Sequence, residues 1–165
     1  MFFWFIATSI WSVWFVFRDP KFDYRILAVA ALIPDLADGM LRVFGMTQSA
    51  MHSVVSSIVV LFAIMTATAG RRPIRQRLLA IPIGLFMHLI YDGAFTATKT
   101  FWWPLTGTAI DDKSLPSIER GLINLPLEMF GIVACIVAWR YFALSDPHRR
   151  HTFLKTGSLK REDIK

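Results

Sequence analysis

The sequence predicts an all-α protein, a polytopic membrane bundle of about five hydrophobic helices. Three observations carry this expectation. The 165 residues are 55% hydrophobic, with a mean hydropathy of +0.47, more apolar than is usual for a soluble domain. Charge is segregated: long stretches carry almost none, while Arg71 to Arg77 and the tail after His148 hold much of it. The apolar stretches between those charges recur at lengths near one helical crossing.

The first stretch runs from Phe2 to Phe17. At about 1.5 Å per residue it is short for a ~30 Å hydrocarbon core, and Trp4, Trp11 and Trp14 suit an interfacial anchor. It lacks a basic leader and a small-residue cleavage site, so it reads as a retained helix rather than a removed signal. The second stretch, Ile26 to Phe44, is interrupted by Pro34, Asp35, Asp38 and Arg42. The third is Met51 to Ala69. The fourth, Leu78 to Ala97, contains Pro82, His88 and Asp92. The fifth, Leu122 to Leu144, contains Pro126 and Glu128. No repeat or low-complexity tract is visible. Residues 1–144 read as one membrane-embedded domain, and 145–165 as a basic, solvated cytoplasmic tail.

Basic residues beside the helix ends set the orientation. Arg71, Arg72, Arg75 and Arg77, and the tail residues Arg149, Arg150, Lys155, Lys160 and Arg161, belong on the cytoplasmic side. Arg18, Lys21 and Arg25 then fall inside too. Five spans give an N-out, C-in protein of the plasma (inner) membrane. The net charge of +6 is explained by topology and by contacts to anionic lipid, not by nucleic acid. The single cysteine, Cys135, sits in an apolar run and reads as packing.

Ionisable residues inside membrane helices are costly and usually have a task. Asp35 and Asp38 are three apart and share a helix face; His88 and Asp92, and Asn124 and Glu128, are four apart and do the same. His52 opens the third stretch. Under the proposed topology these groups reach a similar level near the outer leaflet. Carboxylates with neutral imidazoles suit Zn²⁺, Mn²⁺ or Fe²⁺, and a cation relieves the repulsion of crowded acids. Asp35, Asp38, His52, His88, Asp92, Glu128 and Asn124 are therefore the candidate ligands of one or more divalent metals, zinc foremost. Asp35 and Asp38 are also candidates to orient a water. Trp102 and Trp103 read first as an interfacial belt and second as pocket lining. Arg120 reads as a loop charge or as a phosphate holder.

Several motifs are excluded. Asp35 to Arg42 reads D-L-A-D-G-M-L-R, close to the opening of the CDP-alcohol phosphotransferase signature. The arginine stands one position early, and Met51 to Leu61 has no acid to complete the signature. There is no P-loop, H-E-x-x-H or Ser-His-Asp order.

Taken together, P-D-L-A-D from Pro34, H-S at His52, H-L-I-Y-D from His88 and F-W-W-P-L from Phe101 resemble another group. They are similar to the membrane-bound metal-dependent hydrolase family, also described as LexA-binding, inner-membrane-associated hydrolases. R-D-P-K-F-D-Y-R before the second stretch and L-P-S-I-E-R-G before the fifth resemble an actinobacterial-type subgroup. The resemblance covers roughly residues 25 to 130. It implies a hydrolase distantly like zinc-dependent phospholipase C and P1-type nucleases, with His88 and Asp92 as an H-x-x-x-D zinc pair. Asn124 stands where that family's second pair has histidine, and the acids are spaced D-x-x-D instead of D-x-D.

The leading expectation is thus a metal-dependent hydrolase acting on a phosphoester-containing lipid, a phospholipid or polyprenyl phosphate, near the outer leaflet. Its partners are membrane lipids and the lipid-phosphate substrate, with a homo- or hetero-oligomer as a further option. The competing expectation is a non-catalytic membrane scaffold or subunit whose buried polar groups stabilise the bundle or bind a partner. Ion or proton transport ranks last, because the inner halves of the third and fourth stretches carry little beyond Ser and Thr.

Overall fold

The computed structural model describes residues 1–19, 22–44, 50–108 and 120–159, and for Arg42 only the backbone. The expectations for Lys21, for the turn at 45–49, for most of the loop between Lys99 and Arg120, and for Lys160 and Arg161 lie outside the described residues. Within them the fold is all-helical. The helices are α1 (Phe3–Phe17), α2 (Tyr24–Ala30), α3 (Ile33–Val43), α4 (Val54–Ala67), α5 (Arg72–Leu78), α6 (Ala80–Tyr91), α7 (Thr98–Phe101), α8 (Asn124–Tyr141) and α9 (Pro147–Thr156). A 3₁₀ turn, Gly121–Ile123, leads into α8. Together they form the one stretch among the described residues, Gly121–Tyr141, that is long and apolar enough to cross a membrane. The helices α1 and α4 are apolar but shorter.

The second hydrophobic stretch is two helices. Pro34 lacks the N–H that would bond the Ala30 carbonyl, and the chain breaks at Ala31 and Leu32 before α3 begins. Asp23 caps α2, its carboxylate accepting from the backbone N–H groups of Arg25 and Ile26 at 3.2 and 3.3 Å. Ser53 caps α4 by accepting from the Val55 N–H at 3.0 Å, while its hydroxyl donates to the Trp103 carbonyl at 2.5 Å. That hydroxyl fastens the aromatic turn after α7 to the start of α4. The Trp103–Pro104 peptide is cis.

Two close approaches set the helix packing. At Gly84 of α6, an added Cβ would lie 2.6 Å from the Ala30 Cβ and 2.8 Å from the Leu27 carbonyl oxygen. Glycine therefore lets α6 approach the backbone of α2. Gly131 plays the same part for α8 against the start of α1. The Trp11 indole N–H adds a bond to the Ala134 carbonyl at 3.1 Å. The core under this packing includes Val13, Tyr24, Leu27, Ala80 and Phe142.

The segment from Ser145 is more than a solvated appendage. Asp146 caps α9, Gly157 ends it in the left-handed region at φ 74°, and the Gly157 carbonyl accepts from the Tyr24 N–H at 2.9 Å. Leu159 is buried and Phe153 packs on the core. The apolar side chains in this segment are too few to form a helix alone, but enough to close the end of α2. Burial of Asp23 there works to raise its carboxyl pKa. The paired Arg25 guanidinium and the capping N–H groups outweigh burial and hold it below the usual carboxylate value.

Much of the exposed surface is apolar. Val29, Phe62, Leu125 and Phe130 are 61%, 66%, 68% and 60% exposed, while Asp38, His52, His88 and Asp92 are buried.

Candidate metal centre

The buried polar residues meet where α3, α4 and α6 approach one another. Asp35 extends from the first turn of α3, His52 from the short turn before α4, and His88 from the last turn of α6. The Nε2 atoms of His52 and His88 lie 3.3 Å apart. The Asp35 Oδ1 lies 3.5 Å from the His88 Nε2 and 3.8 Å from the His52 Nε2. Both imidazoles are fully buried, whereas the Asp35 side chain is 33% exposed. This group of three can hold a metal ion, its ligand atoms all falling within 4.8 Å of one another.

The remaining ring nitrogens explain why the Nε2 atoms point inward. The His88 Nδ1 lies 2.8 Å from the Ala31 carbonyl, which can only accept, so the proton belongs on Nδ1. The His52 Nδ1 lies 3.2 Å from the Asp38 Oδ2, beside the carboxylate but without hydrogen-bond geometry to it. The Nε2 atoms of the two rings then face each other and a carboxylate. A cation resolves that arrangement. Nitrogen ligands about 2.0–2.1 Å from a tetrahedral ion are separated by about 3.3–3.4 Å, the spacing the two histidines have. The Ala31 carbonyl on the His88 Nδ1 matches the usual support of metal-binding histidines, in which the far nitrogen is held by a carboxylate or a backbone carbonyl.

The other candidates lie elsewhere. Asp38 stands behind His52, on its Nδ1 side. Asp92 is fully buried and meets Arg120, whose guanidinium lies 3.1 Å from its Oδ1 and also donates to its backbone carbonyl. Glu128 accepts from the backbone N–H groups of Phe2, Phe3 and Trp4 at 3.0, 3.0 and 3.3 Å, binding the positive end of α1 to α8. Neither Asp92 nor Glu128 belongs to the group of three, and Asn124, one turn before Glu128, does not either. Trp102 is 46% exposed. The Trp103 indole donates to the Thr108 carbonyl at 3.0 Å.

Two contributors carry no signal in a list of polar residues. One is the Ala31 carbonyl; only Pro34, three residues on, hints that the helix is broken there. The other is Phe5 of α1, whose ring lies 4.1 Å from the His88 ring, centre to centre, and shields it.

Compared with known protein families, curated proteins and solved structures, the chain matches none.

Proposed function

We propose that the chain is a multi-pass protein of the plasma membrane, N-out and C-in, and a zinc-dependent hydrolase of phosphoester lipids near the outer leaflet. One observation carries the chemical part: two buried histidines and a partly exposed aspartate converge, with the His88 Nδ1 on the Ala31 carbonyl and the His52 Nδ1 beside the Asp38 carboxylate. Structural zinc sites are closed by four protein ligands, whereas catalytic ones keep a position open beside three. Here the exposed side of Asp35 supplies the opening. The motif order that resembles the membrane-bound metal-dependent hydrolases points the same way.

Zinc would be held by Asp35, His52 and His88 and would supply a Lewis acid that lowers the pKa of a water to about 7. The chain's own residues do the rest. Asp35 and the two histidines form the cradle. Asp38 and the Ala31 carbonyl position the rings. Arg120, held on Asp92, sets a cation one turn beyond His88 for the phosphate, and Trp102 and Trp103 sit beside the lipid headgroup. Hydrolysis joins the water oxygen to phosphorus and releases the ester oxygen as an alcohol.

The membrane reading is supported by the large apolar side chains left exposed, Val29, Phe62, Leu125 and Phe130 among them, outside an interior that also buries Asp38, His52, His88 and Asp92. It is supported further by the sequence, which gathers Arg71, Arg72, Arg75, Arg77, Arg149 and Arg150 in two basic segments beside apolar helices. The scaffold reading retains Glu128, whose partners are the start of α1.

The test is elemental analysis of detergent-purified protein alongside phosphate release from a lipid phosphoester. Stoichiometric zinc and turnover, both lost in His88→Ala and Asp35→Asn, are expected. A metal-free wild type that cannot be reloaded, or a His88→Ala variant with full turnover, overturns the proposal.

A further inference from the structure

Beside the close contact at Gly84, the crevice between α2 and α6 widens into a groove of about 350 Å³ lined by Arg25, Ile26, Val29, Ala30, Ile33 and Ile81. All of these side chains but Arg25 are apolar. Val29 forms an open edge, 61% exposed. Arg25 closes one end, its guanidinium 2.7 Å from Asp23 and also donating to the Leu154 carbonyl. Two exposed cations neighbour this end along the chain: Arg77, one turn before the lining residue Ile81, and Lys155, next to the Leu154 whose carbonyl accepts from Arg25. Asp23 offsets Arg25, so the mouth is left positive by Arg77 and Lys155.

We propose that this groove holds an acyl chain of an anionic phospholipid whose headgroup rests against Arg25, Arg77 and Lys155. The inference rests on the membrane reading of the chain but not on hydrolysis. Size, polarity and charge each favour this occupant. At about 350 Å³ the groove has room for part of an acyl chain. The walls offer such a chain an apolar surface. The positive end lies among the basic residues that face the anionic inner leaflet. A lipid seated here lies along α2, whose far end supplies the Ala31 carbonyl to His88. It braces the helix that orients one histidine.

The experiment uses the full chain in phosphatidylcholine nanodiscs with increasing phosphatidylglycerol, and native mass spectrometry to count retained lipid. One phosphatidylglycerol bound in preference to phosphatidylcholine is expected. Val29→Trp, which fills the groove from its exposed edge, should lower that occupancy at least tenfold. Arg77→Gln and Lys155→Gln should each weaken it about fivefold, the equivalent of about 1 kcal/mol per basic residue at an anionic surface. Equal retention of the two lipids, or undiminished phosphatidylglycerol in Val29→Trp, overturns the proposal. Metal content is measured in the same samples. If Val29→Trp loses its metal as well, the two exposed glutamine variants decide: weakened binding supports the groove and unchanged binding refutes it. A wild-type chain that does not enter the bilayer refutes the membrane reading itself, and the groove with it.

Discussion

Asp38→Asn separates a metal centre from a purely structural polar cluster. Asp38 is 3% exposed, and its Oδ2 lies 3.2 Å from the His52 Nδ1. The replacement keeps the volume, removes the charge, and puts an amide where a carboxylate stands beside the ring. Loss of such a partner lowers metal affinity about 10–100-fold, or about 1.4–2.7 kcal/mol. The upper half of that range is expected, because His52 is fully buried and water is poorly placed to substitute. The assay is competition for zinc against a chromophoric chelator in detergent, with helical circular dichroism as a control on folding. A dissociation constant raised about 30–100-fold with unchanged helicity is expected. Equal affinity in variant and wild type would refute the positioning role of Asp38. A wild type that binds no zinc would refute the centre as a whole.

Three further outcomes follow from the packing. Gly84→Val drives a side chain into Ala30 and the Leu27 carbonyl; it should cost about 1–3 kcal/mol of stability and weaken zinc binding, since α2 carries the carbonyl that holds His88, and an unchanged melting temperature would count against it. Glu128→Gln should lower the melting temperature through a loss of about 1 kcal/mol at the capped start of α1, yet keep full metal stoichiometry by elemental analysis; metal loss would return Glu128 to the ligand set. Asp23→Ala should cost about 1–2 kcal/mol. Because the folded Asp23 carboxyl titrates below its ordinary value, its stabilisation is present above about pH 3.9 and lost as pH falls through the lower folded value. Melting temperatures across the acid range should therefore fall less steeply in Asp23→Ala than in wild type, and parallel curves would refute the linkage.

How much of this was legible in the sequence depended on whether a residue's partner was a side chain or the backbone. Asp35, His52 and His88 stood out because ionisable groups are rare in apolar helical runs, and the structure brings these three together. The i, i+4 spacing of His88 with Asp92, and of Asn124 with Glu128, established a shared face but not which neighbour that face meets. Arg120 reaches Asp92 from a loop 28 residues on. Glu128 meets backbone N–H groups of Phe2, Phe3 and Trp4, and backbone groups leave no mark in composition. The tail read as solvated because its charge outweighs Phe153 and Leu159, yet those two side chains are the ones that dock. The break in the second stretch was visible as Pro34, but the atom it turns toward His88 was not.

That break gives the centre its economy of parts. One short segment, residues 31–38, supplies the Ala31 carbonyl to His88, the Asp35 carboxylate to the convergence point and the Asp38 carboxylate to His52. Both histidines come from other elements, the turn before α4 and the end of α6. Their orientations are therefore set by the same segment that provides the third ligand. Movement of α2 and α3 against α6 disturbs a ligand and both ring supports together, so metal binding and the α2–α6 contact at Gly84 are coupled. The coupling runs both ways: a metal that binds the folded arrangement stabilises that helix contact by mass action. Chelation of the wild type should accordingly lower its melting temperature more than chelation of Gly84→Val lowers that variant's, because the variant has already lost part of the arrangement the metal favours. Equal shifts in the two proteins would show that the site and the helix contact are independent.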